Sequence, residues 1–162
     1  MDVTSSSEPG RWAVSEEMLI EAKPETVFEF FTDPLLMRTW MGGQAVLDPR
    51  PGGVFAVDIG ANRARGEYVE VLAPERVAFT WGWEGSEGVP PGSSTVTFTF
   101  EAAGNGTLLR MVHEGLSAEE AARHRHGWAH YLSRLMVAAP GGDPGPDPHV
   151  EAGEMPLHES QS

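Results

Sequence analysis

The chain has 162 residues, 40% of them hydrophobic, a formal net charge of −13 and no cysteine. That length fills one well-packed domain rather than two. Lack of thiols excludes disulfides, thiol catalysis and cysteine-based zinc sites, and the negative charge disfavours nucleic-acid partners.

No apolar run approaches about 18 residues, so membrane insertion is not expected. The N-terminus has no basic segment followed by an apolar one, which argues against a signal peptide, and the lack of cysteine suits a cytoplasmic location. Ten arginines against one lysine, with abundant Ala, Gly and Pro, suit a GC-rich bacterial genome.

Residues 1–11 are Ser-rich and polar and read as a disordered leader. A single domain is expected over residues 12–140. Trp12 to Glu21 reads as the first strand, with Val14, Met18 and Ile20 spaced by twos. Pro24 opens a helix carrying Val27, Phe28 and Phe31, and Asp33-Pro34 signals a second, short one over Pro34 to Arg38.

After Gly42-Gly43 the apolar period changes from 3.6 to 2. Six strands are predicted: Gln44–Leu47, Val54–Ile59, Arg65–Leu72, Arg76–Trp83, Ser94–Glu101 and Thr107–Glu114. Gly- and Pro-bearing turns separate them, so successive strands form antiparallel hairpins.

The last helix is predicted from about Ser117 to Ala138. Ser117 and Glu120 have capping-box spacing, and Pro140-Gly141-Gly142 stops the helix. Ala121, Trp128, Leu132, Leu135, Met136 and Ala139 form its apolar stripe. Arg123, His126, His130 and Arg134 lie opposite. From Gly141 to Ser162 the chain is acidic and rich in Pro and Gly, and reads as a disordered tail.

An antiparallel sheet with one wet face must bury the other, and the long helix is the only partner of sufficient length. The expected fold class is α+β. A curved antiparallel sheet of about seven strands wraps the C-terminal helix, with two short helices between strands one and two.

This order has a known counterpart. It comes with Ala22-Lys23-Pro24-Glu25-Thr26-Val27-Phe28, Thr39-Trp40, Asp48-Pro49-Arg50-Pro51-Gly52-Gly53 and Gly66-Glu67-Tyr68. Pro74-Glu75-Arg76-Val77-Ala78-Phe79-Thr80-Trp81, His113-Glu114-Gly115-Leu116 and Gly127-Trp128 complete the series. Together they resemble the START/Bet v 1-like (SRPBCC) helix-grip superfamily over about Val14 to Ala138. Within it the chain is most similar to the branch named after the activator of Hsp90 ATPase. The resemblance implies a central cavity, which in members of the superfamily binds lipids, hormones, polyketides or antibiotics. Some members cyclise polyketides, and one bacterial type sequesters an enediyne and is cleaved in doing so. No stretch matches the separate N-terminal domain of the eukaryotic co-chaperone, so that role is not expected.

Strand parity points Val77, Phe79, Trp81 and Trp83 at the helix, with Val96, Phe98 and Phe100, then Leu109, Met111 and His113. Aromatics and Met with a few polar tips either fill a core or line a ligand pocket. Trp40, Phe55, Trp81, Trp83, Phe98, Met111, Trp128 and Leu132 are the candidate ligand-binding side chains. His113 is either a sheet histidine held by hydrogen bonds or a polar anchor and acid–base group. His124, about 40° around the helix from Trp128 at 100° per residue, reaches the cavity mouth. His126 and His130 have metal-binding spacing but fall on the solvent side, so no metal site is expected. Glu67, Glu70, Glu84, Glu101 and Glu114 read as solvated strand carboxylates without pairing. No nucleophile or phosphate-loop motif is present.

The leading expectation is a protein that binds a hydrophobic small molecule without a cofactor, as a monomer or homodimer. An enzyme of the polyketide cyclase or aromatase type, with His113 as acid–base group, is the first alternative. A protein-interaction module resembling the co-chaperone domain is the second.

Overall fold

Short turns between most successive strands favour antiparallel pairing of neighbours. A computed structural model, which describes residues 2–5 and 12–147, shows this pairing. In chain order the elements are β1 (Asp2–Ser5), β2 (Trp12–Ile20), α1 (Pro24–Glu29), α2 (Pro34–Trp40), β3 (Gln44–Leu47) and β4 (Val54–Ile59). Then come β5 (Asn62–Leu72), β6 (Arg76–Trp81), β7 (Ser94–Ala103), β8 (Gly106–Leu116) and α3 (Ala118–Ala138). The strands form one sheet in the order β1-β2-β8-β7-β6-β5-β4-β3, every pair antiparallel. From β2 onward this is the seven-stranded helix-grip fold that the sequence predicts, with α1 and α2 after its first strand.

The leader departs from expectation. Asp2–Ser5 forms a strand on the edge of β2, with Asp2 opposite Ser15. An edge strand presents unpaired backbone groups that any extended segment can satisfy, whatever its hydrophobicity. The rest of the expected leader, residues 6–11, lies outside the described residues, as do residues 148–162 of the tail.

Curvature has identifiable causes. A Cβ on Gly66 would stand 1.9 Å from the Thr80 carbonyl oxygen, so only glycine lets β5 approach β6 this closely. A register shift follows between Tyr68 and Glu70. β6 ends at Trp81, two residues short of the predicted end, because the following loop folds onto Gly82. The Trp83 N–H donates to the Val89 carbonyl at 2.8 Å, replacing a strand partner.

At the start of α3 the Glu120 N–H donates to Ser117 Oγ at 3.2 Å, half of the predicted capping box. The Glu120 carboxylate does not turn back to complete it but accepts from Arg123 at 2.8 Å. The buried face runs through Ala121, His124, Trp128, Tyr131, Leu132, Leu135 and Ala138. It is rotated toward the Tyr131–Ala138 side, which leaves Met136 42% exposed where the sequence placed it inside. At α2, Asp33 Oδ1 accepts from the Leu35 N–H at 2.9 Å, the predicted cap, and the helix runs on to Trp40.

The chain after α3 does not leave the fold at once, as the expected disordered tail would. Arg134 donates to the Pro144 carbonyl at 3.4 Å, to Gly145 at 3.0 Å, and to the Trp40 carbonyl at the end of α2 at 3.2 Å. Asp147 accepts from the Tyr131 hydroxyl and pairs with His130 Nε2 at 3.0 Å. His130 is therefore half-buried rather than solvated. A buried phenol needs an acceptor, and no periodicity in the tail reveals that Asp147 is it.

On the outer face, Arg110 bridges Glu17 and Glu101, and Arg76 pairs with Glu70. Arg65 joins Asp58 to Glu84. Three of the strand carboxylates expected to stand alone are thus paired, since adjacent strands bring opposite charges within reach.

Candidate binding site between sheet and helix

Inward parity on β6, β7 and β8 and the buried face of α3 bring the candidate residues together. Trp40, Phe55, Trp81, Trp83, Phe98, Met111, His113, His124, Trp128 and Leu132 are each no more than 1% exposed. Trp81 is the centre of the aromatic group. Its ring centroid lies 5.2 Å from Trp83, 5.4 Å from Trp128, and 6.0 Å from both Phe55 and His113. Phe98 meets Trp128 at 5.8 Å and Phe31 at 4.5 Å, and Phe31 meets Trp40 at 5.2 Å. Trp40 joins this aromatic group through Phe31 and Phe98. Its indole N–H is tied to the Phe30 carbonyl at 3.0 Å.

The polar groups form two short chains. The Trp128 indole N–H donates to His113 Nδ1 at 3.0 Å. His113 Nε2 lies 2.8 Å from Ser94 Oγ, whose proton goes to the Trp81 carbonyl at 2.8 Å. An indole can only donate, so His113 Nδ1 is the acceptor. The Ser94 hydroxyl has already spent its proton, so it accepts from Nε2–H. These partners assign His113 as a neutral imidazole protonated on Nε2. Burial, reinforced by the neighbouring His124, holds its pKa well below the ordinary histidine range.

His124 follows the same logic in mirror image. The Trp83 indole N–H donates to His124 Nε2 at 3.2 Å, and His124 Nδ1–H donates to the Glu120 carbonyl at 2.8 Å. The two imidazoles stand edge to face with centroids 5.0 Å apart. His124 sits deep in the interior, not at a mouth. Both ring nitrogens of His113 are occupied within the protein, so neither offers a free lone pair or proton to a reacting group.

Two side-chain atoms here lack partners among the described residues: Trp81 Nε1 and Glu120 Oε1. The Glu120 oxygen lies 3.7 Å from His124 Nδ1, on the far side of that ring from Trp83.

Sequence reasoning missed Ser94, Tyr131, Phe31 and Asp147. Tyr131 had a signal, since it lies three residues after Trp128 on the helix. Ser94 begins a predicted strand, but only the β7–β8 register brings it to His113. The predicted i, i+4 pair of His126 and His130 diverges: His126 is exposed and His130 binds Asp147.

A sequence model described as "Activator of Hsp90 ATPase homolog 1-like protein" matches residues 21–139. The solved AHSA1-like protein of Rhizobium etli is 48% identical, with a TM-score of 0.70, and the match covers 90% of this chain and 92% of that one. DynU16, a protein in the dynemicin biosynthetic locus, is 25% identical with a TM-score of 0.70. That match covers 82% of this chain and 48% of the other. An uncharacterized protein of Schizosaccharomyces pombe is 28% identical over 111 residues, 66% of this chain and 31% of that protein. The chain therefore spans about a third of the length of this curated relative.

Proposed function

The chain belongs to the Activator of Hsp90 ATPase homolog 1-like family, and on that premise we propose that it binds a small molecule. The ligand is hydrophobic or aromatic and is held between the sheet and α3. The observation that carries this reading is the polar network at the heart of an aromatic interior: Trp128–His113–Ser94 and Trp83–His124. Buried imidazoles are a costly way to fill a core, because burying polar groups costs free energy that their hydrogen bonds must offset. A largely apolar interior with a few convergent polar groups is what small-molecule sites need. The likeness to a protein in the dynemicin biosynthetic locus agrees with an antibiotic-like ligand. Occupation of both His113 nitrogens supports binding over acid–base turnover.

Native mass spectrometry of the freshly purified protein, followed by a thermal-shift screen, tests the proposal. A ligand that binds only the folded state raises the melting temperature with its concentration. Polycyclic aromatics are expected to do so and to quench tryptophan emission. Stabilisation by nucleotides alone, or by no compound in the screen, overturns the proposal.

A further inference from the structure

Resting on that reading, we infer that the ligand is a neutral polycyclic ketone or quinone whose carbonyl oxygen accepts the Trp81 indole N–H. Of the four buried indoles, three donate within the protein: Trp40 to Phe30, Trp83 to His124 and Trp128 to His113. Trp81, fully buried, has no acceptor among the described residues. A buried indole N–H ordinarily has an acceptor, and a ligand oxygen beside it would serve as one.

The rings around Trp81 describe the rest of the ligand. Phe55 and Phe79 stack at 3.9 Å and 10°. Among the described residues no ring stacks on Trp81 in this way: Trp83, Trp128, Phe55 and Phe79 meet it at 84°, 45°, 47° and 44°. His113 meets it at 77°. The Trp81 indole thus lacks both an acceptor and a parallel aromatic neighbour, and a flat ring system bearing a carbonyl supplies both.

Charge and donor accounting narrow the class. Among the described residues the buried polar set contains no arginine or lysine, and its only formal charge is Glu120. A carboxylate or phosphate would enter uncompensated. A phenol would bring a donor as well as an acceptor. The imidazole lone pairs able to receive that proton are taken by Trp83 and Trp128. The open oxygen of Glu120 lies beyond His124. An acceptor without a donor fits best.

Fluorene and 9-fluorenone share one tricyclic shape and differ by a methylene in place of the carbonyl, so they isolate this contact. The full-length protein is expected to bind fluorenone about 5- to 150-fold more tightly, the equivalent of about 1–3 kcal/mol for an unsatisfied buried donor. Trp81→Phe should bind the two probes alike. With 15N-labelled tryptophan in the wild type, fluorenone should move the Trp81 indole N–H proton further downfield than fluorene does, because both share the ring-current shift and only fluorenone adds a hydrogen bond. That reading does not depend on how well the variant folds. Equal affinities in the wild type, a preference that survives Trp81→Phe, or equal Trp81 shifts with the two probes overturns the carbonyl assignment and leaves the binding proposal standing. Failure of both probes to bind overturns both.

Discussion

The Trp128 indole N–H meets His113 Nδ1 at 3.0 Å, and that bond ties α3 to β8 through the middle of the fold. Both side chains are fully buried. Trp128→Ala is expected to cost about 3–5 kcal/mol, the usual loss for truncating a buried tryptophan. Trp128→Phe keeps much of the apolar contact but leaves Nδ1 without a donor, which should cost about 1–3 kcal/mol in addition to the lost volume. Urea denaturation of the two variants checks this. A Trp128→Ala protein as stable as its parent would mean that the indole does not anchor the helix.

His113 should make the protein sensitive to mild acid. Its folded pKa lies well below 6.5 because burial and His124 oppose the charged form. As pH falls below about 6.5, the unfolded chain takes up the proton and the folded chain does not. Stability is therefore full above that value and declines beneath it, by at most about 1.4 kcal/mol per pH unit for one such group. Glu16 opposes the trend, since burial raises its pKa and its protonation favours the fold. The difference between wild type and His113→Gln isolates the histidine. The variant should be less stable near pH 8 and should show a shallower fall from pH 6.5 to 5.

The segment after α3 should contribute measurably. Asp147→Ala removes the acceptor of the fully buried Tyr131 hydroxyl. The expected loss is about 1–3 kcal/mol, or roughly 2–12 °C in melting temperature for a chain of this size. Asp147→Asn retains a carbonyl acceptor and should recover most of it. A chain ending at Pro140 should melt at least as low as Asp147→Ala, because Arg134 also loses the Pro144 and Gly145 carbonyls. Calorimetry of the three proteins settles the order.

Gly66→Ala tests the close approach of β5 to β6. Its new methyl would stand 1.9 Å from the Thr80 carbonyl oxygen and 2.4 Å from that carbon, both rigid backbone atoms. The strands must part, and a loss of at least about 1–3 kcal/mol is expected. Gly43→Ala, with no atom within 4 Å of the added carbon, is the control and should change little.

The order of elements was legible along the chain because it depends on local signals. Period-2 alternation marks the strands, Asp33-Pro34 and Ser117 mark helix starts, and the Trp128 stripe marks the buried face of α3. Even the convergence of Trp81, Phe98, Met111 and His113 follows from parity alone, because neighbouring strands share a face. The edge strand Asp2–Ser5 carried no such signal, since backbone pairing needs no hydrophobic pattern.

By its own periodicity and punctuation the sequence determined a sheet wrapped on a helix and the residues that turn inward. Only the tertiary structure decided what their polar atoms meet. Trp128 and His113 are 15 residues apart, Ser94 and His113 19, and Trp83 and His124 41. Whether such groups bond depends on strand register, helix rotation and rotamer together, and a shift of about an ångström breaks the geometry. The neutral state of His113, the capping of Tyr131 by Asp147 and the Trp81 N–H that meets no acceptor among the described residues all arise at that level. Period and spacing set which face a side chain occupies, but a hydrogen bond is a meeting of two particular atoms in space.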